Sequence, residues 1–226
     1  VKRIIAPLLF GLIGAAILVG LGRWQLQRLE WKQGILTQIE SRIGGEPLPL
    51  PTSVDPEANK YQPVDLPGEI IPDELHVLVS VKQVGAGYRV ISPFVTGGRR
   101  VLLDRGFIPV EDVALDRPGG TAEVQGNLHW PDDRNSSTPE NDMVGNIWFA
   151  RDITQMAEVL KTEPLLIIAS DVTPADPGVT PLPLNASGIP NDHLQYAITW
   201  FALALVWLIM TTGYIWRQQN PKRDER

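Results

Sequence analysis

Two long uncharged runs dominate the hydrophobic pattern of the chain: IIAPLLFGLIGAAILVGLG over 4–22 and LQYAITWFALALVWLIMTTGYIW over 194–216. At about 1.5 Å of rise per helical residue, each spans about 28 Å or more, which matches the hydrocarbon core of a bilayer. The pattern predicts a transmembrane helix at each place. A cleaved signal peptide has a shorter apolar region and ends at a small-residue cleavage site. The first run leads instead into Arg23-Trp24-Gln25, so it is expected to remain as an anchor.

Helical spacing continues past the first run, with Trp24, Leu29, Trp31, Ile35, Leu36, Ile39 and Ile43 recurring at intervals of three, four and seven up to Gly44-Gly45. This predicts a juxtamembrane helical extension over 23–43. The stretch 44–73 carries Pro47, Pro49, Pro51, Pro56, Pro63, Pro67 and Pro72, and is expected to be a linker with at most short edge strands. Strand signals follow at 75–82, 89–96, 101–108 and 122–128, separated by glycine-rich turns that favour antiparallel hairpins. Asp152 is placed to cap a short helix over 153–161, with a last strand at 165–169. These elements make up an expected domain over 74–172, joined by a proline-rich stalk over 173–190 to the second span and by that span to a tail over 217–226. The predicted fold class is a membrane protein in which two transmembrane helices flank a small antiparallel β-rich α+β extracytoplasmic domain.

Charge adds an orientation. The tails carry six basic and two acidic residues, whereas the section between the spans carries 14 basic and 24 acidic residues. Two spans put both tails on one side, and the positive-inside bias makes that side the cytoplasm. The central domain is then expected in the periplasm. Trp24 and Trp31 on the outer side and Tyr214 and Trp216 on the inner side stand where interfacial aromatics contact membrane lipid. The chain begins at Val1 without Met, so a few residues are expected to precede it. No Arg- and Ser-rich amphipathic transit segment is present at its start, which favours a bacterial inner membrane over a mitochondrial one.

Composition excludes several chemistries. With no cysteine there is no disulfide, thiolate metal site, covalent haem attachment or Cys nucleophile. A net charge of −6 argues against nucleic acid as a partner. His76 and His129 have no partner at metal-ligand spacing, and no hydrolase, nucleotide-binding or zincin motif occurs, so an enzyme is not expected.

His193 is the most informative residue, at the mouth of the second span in Pro190-Asn191-Asp192-His193-Leu194-Gln195-Tyr196. Neutral imidazole ligates iron or copper, and Tyr196, Ala197, Trp200 and Ala204 follow at helical spacing, a face on which a flat macrocycle can lie. The simpler reading of the same residues is an interfacial polar group at a capped helix start. On the first span Gly11, Ala15, Leu18 and Gly22 form a small-residue stripe, with Gly14 beside it, that suits close packing against the second span or another membrane protein. Arg23, Arg28 and Lys32 lie at the same end as His193, and either neutralise acidic groups of a ligand or snorkel to lipid phosphates.

At this point the motifs resemble a known family. LGRWQLQRLEWK over 21–32 resembles the signature closing the first span in the Surfeit locus protein 1 family, and NDHLQYAITWFALA over 191–204 resembles the signature opening the second. GYRVISPF over 87–94 and VLLDRGFIP over 101–109 are similar to internal motifs of that family, with Phe107 where Trp is common. The resemblance implies an assembly factor for haem–copper cytochrome c oxidase that transiently binds haem a and assists its insertion into oxidase subunit I. It also implies that His193 takes part in haem binding. Tyr196 and Trp200 are then expected to flank the haem, and Arg23 or Arg28 to face its propionates. The resemblance leaves open whether one chain or a homo-oligomer holds the haem, and whether the domain also meets a haem a synthase. A competing function is a stable accessory subunit of a respiratory oxidase complex with no part in haem transfer.

Overall fold

A computed structural model describes residues 2–82, 84–186 and 189–219. The charged tail residues Lys222, Arg223, Asp224, Glu225 and Arg226, and the side chains of Lys2 and Arg3, lie outside the described residues. The chain divides into two units, one built from its two ends and one spanning Ile39–Ala186.

The first unit is helical. Helix α1 (Lys2–Ile43) runs without interruption through the apolar run and its extension, and α4 (His193–Gln219) carries the second run. Both helices are long and apolar enough to cross a membrane. Beyond Gly22 the chain turns to Gln, Leu, Arg, Glu and Lys, all good helix formers, so nothing breaks α1 where the apolar run stops. The two helices pack along matching stripes. On α1, Gly11, Ala15, Leu18, Gly22, Gln25, Leu29 and Lys32 alternate at spacings of four and three and are shielded from solvent. On α4 the same spacing picks out His193, Ala197, Trp200, Ala204, Trp207 and Thr211. This alternation keeps one seam of each helix facing the other over many turns. The glycines make the approach close: a Cβ at Gly22 would lie 2.7 Å from Phe201, and Cβ atoms at Gly11 and Gly14 would run into Thr211 and Trp207. The Trp207 indole N–H donates to the Gly11 carbonyl across the seam at 3.0 Å.

The second unit is a seven-stranded mixed sheet with one covering helix. Its strands are β1 (Pro63–Ile70), β2 (Leu75–Val81), β3 (Gly85–Thr96), β4 (Arg99–Pro109), β5 (Gly120–His129), β6 (Ile147–Trp148) and β7 (Leu166–Thr173), with the short helices α2 (Pro56–Asn59) and α3 (Ile153–Leu160). Their order is β1-β5-β7-β4-β3-β2-β6, and an additional β1–β3 pairing closes five of them into a ring. Most pairings are antiparallel; β4–β7 and β2–β6 are parallel. Side chains alternate between faces along each strand. Val101, Leu103, Ile167 and Ala169 therefore point into one core, while Leu102, Leu166 and Ile168 face a second core against α3. Burial on both faces explains the unbroken apolar runs of β4 and β7. Asp152 caps α3 by accepting from the Gln155 N–H at 3.1 Å.

The stretch 44–73, expected as a linker, contributes α2 and a full strand. Prolines fit β1 because of where their missing donors fall. Pro63 opens the strand, and the Pro67 carbonyl accepts from Thr96 Oγ1 at 2.8 Å on the β3 side, where the β1–β3 ladder begins only at Glu69. The nitrogen of Pro67 faces that same unpaired side, so the ladder to β5 loses nothing. The stalk 173–190 is likewise held to the sheet over its first half. Phe107 and Thr180 exchange backbone hydrogen bonds at 2.7 and 2.9 Å. Gly106, at φ +132°, leaves room for the Thr180 carbonyl where a Cβ would collide.

Candidate functional site

The site is built from the matched seams of α1 and α4. Where the small-residue stripe of α1 ends at Gly22, the next seam position is Gln25, 9% exposed. The first residue of α4 stands opposite: the His193 Nδ1–H donates to Gln25 Oε1 at 2.8 Å. A carbonyl oxygen can only accept, so this bond puts a ring proton on Nδ1, and in the neutral imidazole the lone pair is then on Nε2. Nε2 receives no hydrogen bond among the described residues. An imidazole whose far nitrogen is tied to a carbonyl is the arrangement commonly found in metal-ligating histidines.

Seven residues after Gln25 on the same seam, Lys32 donates from Nζ to the Pro190 carbonyl, just before α4 begins. That bond draws together the same helix mouth that Gln25 and His193 hold. Gln25 and Lys32 both extend the stripe Gly11-Ala15-Leu18-Gly22 at its own spacing, and carrying that stripe three residues further would have found Gln25 in the sequence.

The remaining expected site residues separate by position. Trp200 lies on the α4 seam and is half-buried, whereas Tyr196 is 56% exposed and lies off it. Ala197 and Ala204 are buried on the seam, so these small residues serve the packing of α1 on α4. Arg28 is one helical turn from Gln25, and its guanidinium carbon stacks 3.8 Å from the centroid of the Trp31 ring. Arg23 is exposed and two residues from Gln25. At about 100° per residue it points to the far side of α1. The structure therefore brings His193 together with Gln25, sets Trp200 on the same seam and Arg28 beside it, and leaves Arg23 apart.

Among the described residues, no three His, Cys, Asp or Glu side chains come together as a metal cage. A lone imidazole with a free nitrogen suits a metal that brings its other donors with it, as in a metalloporphyrin.

The sheet unit holds its own charged clusters. β4 bulges at Arg105, between the pairs Val90–Gly106 and Ile91–Asp104. The Arg105 side chain is 1% exposed and donates through Nε and Nη2 to Asp176 at 2.6 and 2.7 Å, which fastens the stalk. Glu74 accepts from Arg117 at 2.6 Å and pairs with His76 at 2.7 Å. Burial works against the charge of Glu74, but the hydrogen bonds from His76 and Arg117 outweigh it and hold the carboxyl at about 2. Asp104 is fully buried, 2.6 Å from Arg89, and burial pushes its carboxyl up against the pull of Arg89 and Arg151. Burial, aided by Arg151 and Lys60, lowers His129 to about 4.

Comparison with known proteins places this geometry in a family. The model described as the SURF1 family matches residues 12–205, which include Gln25 and His193, most of both seams and the whole sheet unit. Surfeit locus protein 1 of Xenopus tropicalis is 31% identical over 224 residues, covering 87% of this chain and 70% of the relative. The mouse protein of the same name is 30% identical over 243 residues, covering 95% of this chain and 76% of the relative. A SURF1-like protein of Rickettsia felis is 29% identical over 218 residues, covering 90% and 94%. With the family match running from the first apolar helix into the second, the chain belongs to the SURF1 family.

Proposed function

We propose that this chain serves the assembly of haem–copper cytochrome c oxidase by holding haem a transiently, with His193 as a ligand to its iron, before the haem enters oxidase subunit I. The observation that carries the proposal is the 2.8 Å bond from His193 Nδ1–H to Gln25 Oε1, which leaves Nε2 without a partner among the described residues at the mouth of α4. Haem a would bring its iron and porphyrin nitrogens, and the His193 imidazole would add a donor from the protein.

The other residues act around that nitrogen. Trp200, half-buried on the seam, and Tyr196, exposed beside it, offer ring faces and edges to a flat macrocycle. Arg28 stacks its guanidinium over the Trp31 ring at 3.8 Å, which leaves its N–H donors for a propionate carboxylate. Of the two arginines, Arg28 is the one beside the seam, and Arg23 is left to the lipid surface. The site makes no covalent change in its cargo; its work is to ligate, orient and release. A half-exposed imidazole fits a carrier that must give its haem up.

In this reading both tails face the cytoplasm of a bacterium and the sheet unit stands in the periplasm, so His193 holds haem at the outer face of the inner membrane. The sheet unit then offers the surface for subunit I or a haem a synthase, in one copy or as a homo-oligomer.

The test is complementation. In a strain lacking this protein, the wild type restores oxidase activity and the haem a content of subunit I, and His193→Ala does not. Stoichiometric co-purification with mature, active oxidase would instead mark a stable accessory subunit.

A further inference from the structure

We infer that Gln25 is the positioning residue of the haem site: it fixes the His193 ring in the Nδ1–H tautomer and so presents Nε2 to iron. The inference rests on the proposed role of His193 and adds to it the residue that makes the histidine competent.

Three observations carry it. Gln25 is the one polar residue of the α1 seam between Leu18 and Leu29, and it is almost wholly shielded there. A buried amide in such a seam is unfavourable unless it is hydrogen-bonded, and its carbonyl takes the His193 proton at 2.8 Å. The two helices are in contact on both sides of this bond. Gly22 lies against Phe201 one turn inward, and Lys32 binds the Pro190 carbonyl two turns outward. The ring therefore cannot turn without giving up the one hydrogen bond it makes among the described residues, and the seam sets the direction in which Nε2 points. A neutral imidazole with the opposite tautomer carries its proton on Nε2 and cannot bind iron there.

Gln25 thereby separates two demands on one histidine. The α1–α4 packing uses Nδ1, and the cargo uses Nε2. Outer-shell partners of this kind typically change metal affinity by about 10–100-fold when removed.

The experiment uses the full chain in lipid nanodiscs, with ¹⁵N-labelled histidine and His193→Ala to assign the signal of His193 apart from those of His76 and His129. Ring ¹⁵N shifts at alkaline pH report the tautomer without haem, and titration with haem a reports affinity. Wild type and Gln25→Glu, whose carboxylate also only accepts, are expected to show the Nδ1–H tautomer and comparable affinity. Gln25→Leu is expected to lose that tautomer and to bind haem a about 10-fold or more weakly. An unchanged tautomer in Gln25→Leu, or a changed one with unchanged haem affinity, overturns the inference even where His193→Ala loses haem. Should His193→Ala bind haem a like the wild type while the tautomer still follows Gln25, the haem-ligand reading falls and takes the positioning role with it.

Discussion

Replacing Asp176 by alanine removes the carboxylate that clamps Arg105, and the structure sets the size of the effect. The two side chains are 8% and 1% exposed and share hydrogen bonds of 2.6 and 2.7 Å. Breaking a buried ion pair on one side costs about 3–5 kcal/mol, because the remaining charge is stranded. Arg105 keeps Ser92 Oγ at 3.3 Å and Glu74 Oε2 at 3.5 Å, weaker contacts that bring the expected loss to the lower end, about 3 kcal/mol. For a unit of this size that is a fall of roughly 6–12 °C in thermal midpoint. The paired backbone bonds between Phe107 and Thr180 should open with it, and those two amides should exchange hydrogen about 100-fold faster. Replacing both with Arg105→Met and Asp176→Leu removes the two paired charges together, leaving only the weaker contacts to Ser92 and Glu74 unmade, and should recover much of the loss. The measurements are thermal unfolding and residue-resolved hydrogen exchange on the full chain. A midpoint within about 2 °C of wild type, with Phe107 and Thr180 unchanged, would refute the view that this pair fastens the stalk.

Other outcomes follow from different parts of the molecule. Gly14→Leu places a side chain into Trp207 and should widen the distance between spin labels on α1 and α4, while Gly20→Leu, which has nothing near it, should not; equal distances in both would deny the close seam. Since the chain has no native cysteine, labels can be attached without background. His129 at about 4 and Glu74 at about 2 both sit below their ordinary values of 6.5 and 4.5, so the unfolded chain binds protons before the folded one does. Stability should fall as pH drops from 6.5 towards 4 through His129 and from 4.5 towards 2 through Glu74, by at most on the order of 3 kcal/mol each. His129→Gln should flatten the upper window alone, and a pH profile of melting identical to wild type would remove His129 from the account. Asp152→Ala loses the cap on the Gln155 N–H and should destabilise the sheet unit by about 1 kcal/mol, read in urea unfolding.

How far the sequence foretold this structure depended on the kind of signal. The two apolar runs and the spacing from Trp24 to Ile43 led directly to α1 and α4, because periodicity survives whatever packs against it. The strands around Leu75, Val90, Leu102 and Val124 were legible from turn residues, and Asp152 announced its helix by its cap. Strand β1 was hidden because Pro63 and Pro67 argue against a ladder, and only the position of the neighbouring strands shows that their missing donors fall on an unpaired side. The anchoring of the stalk was hidden for a related reason: Asp176 and Arg105 are 71 residues apart, and nothing local marks them as partners. Within the site, His193 drew notice by its place at a helix mouth and through the family signature. Gln25 did not, since its role depends on two seams meeting in register. Arg23 and Arg28 looked equivalent as charges near one membrane surface, and helix azimuth separates them.

The central claim is that His193 carries haem a, and an absorption spectrum tests it most directly. Wild-type protein and His193→Ala are purified from cells that make haem a, with folding checked by the thermal midpoint of the sheet unit. The account predicts haem a bands in the wild type and their loss in the variant. Equal haem in both proteins, or a wild type free of haem under these conditions, would contradict it.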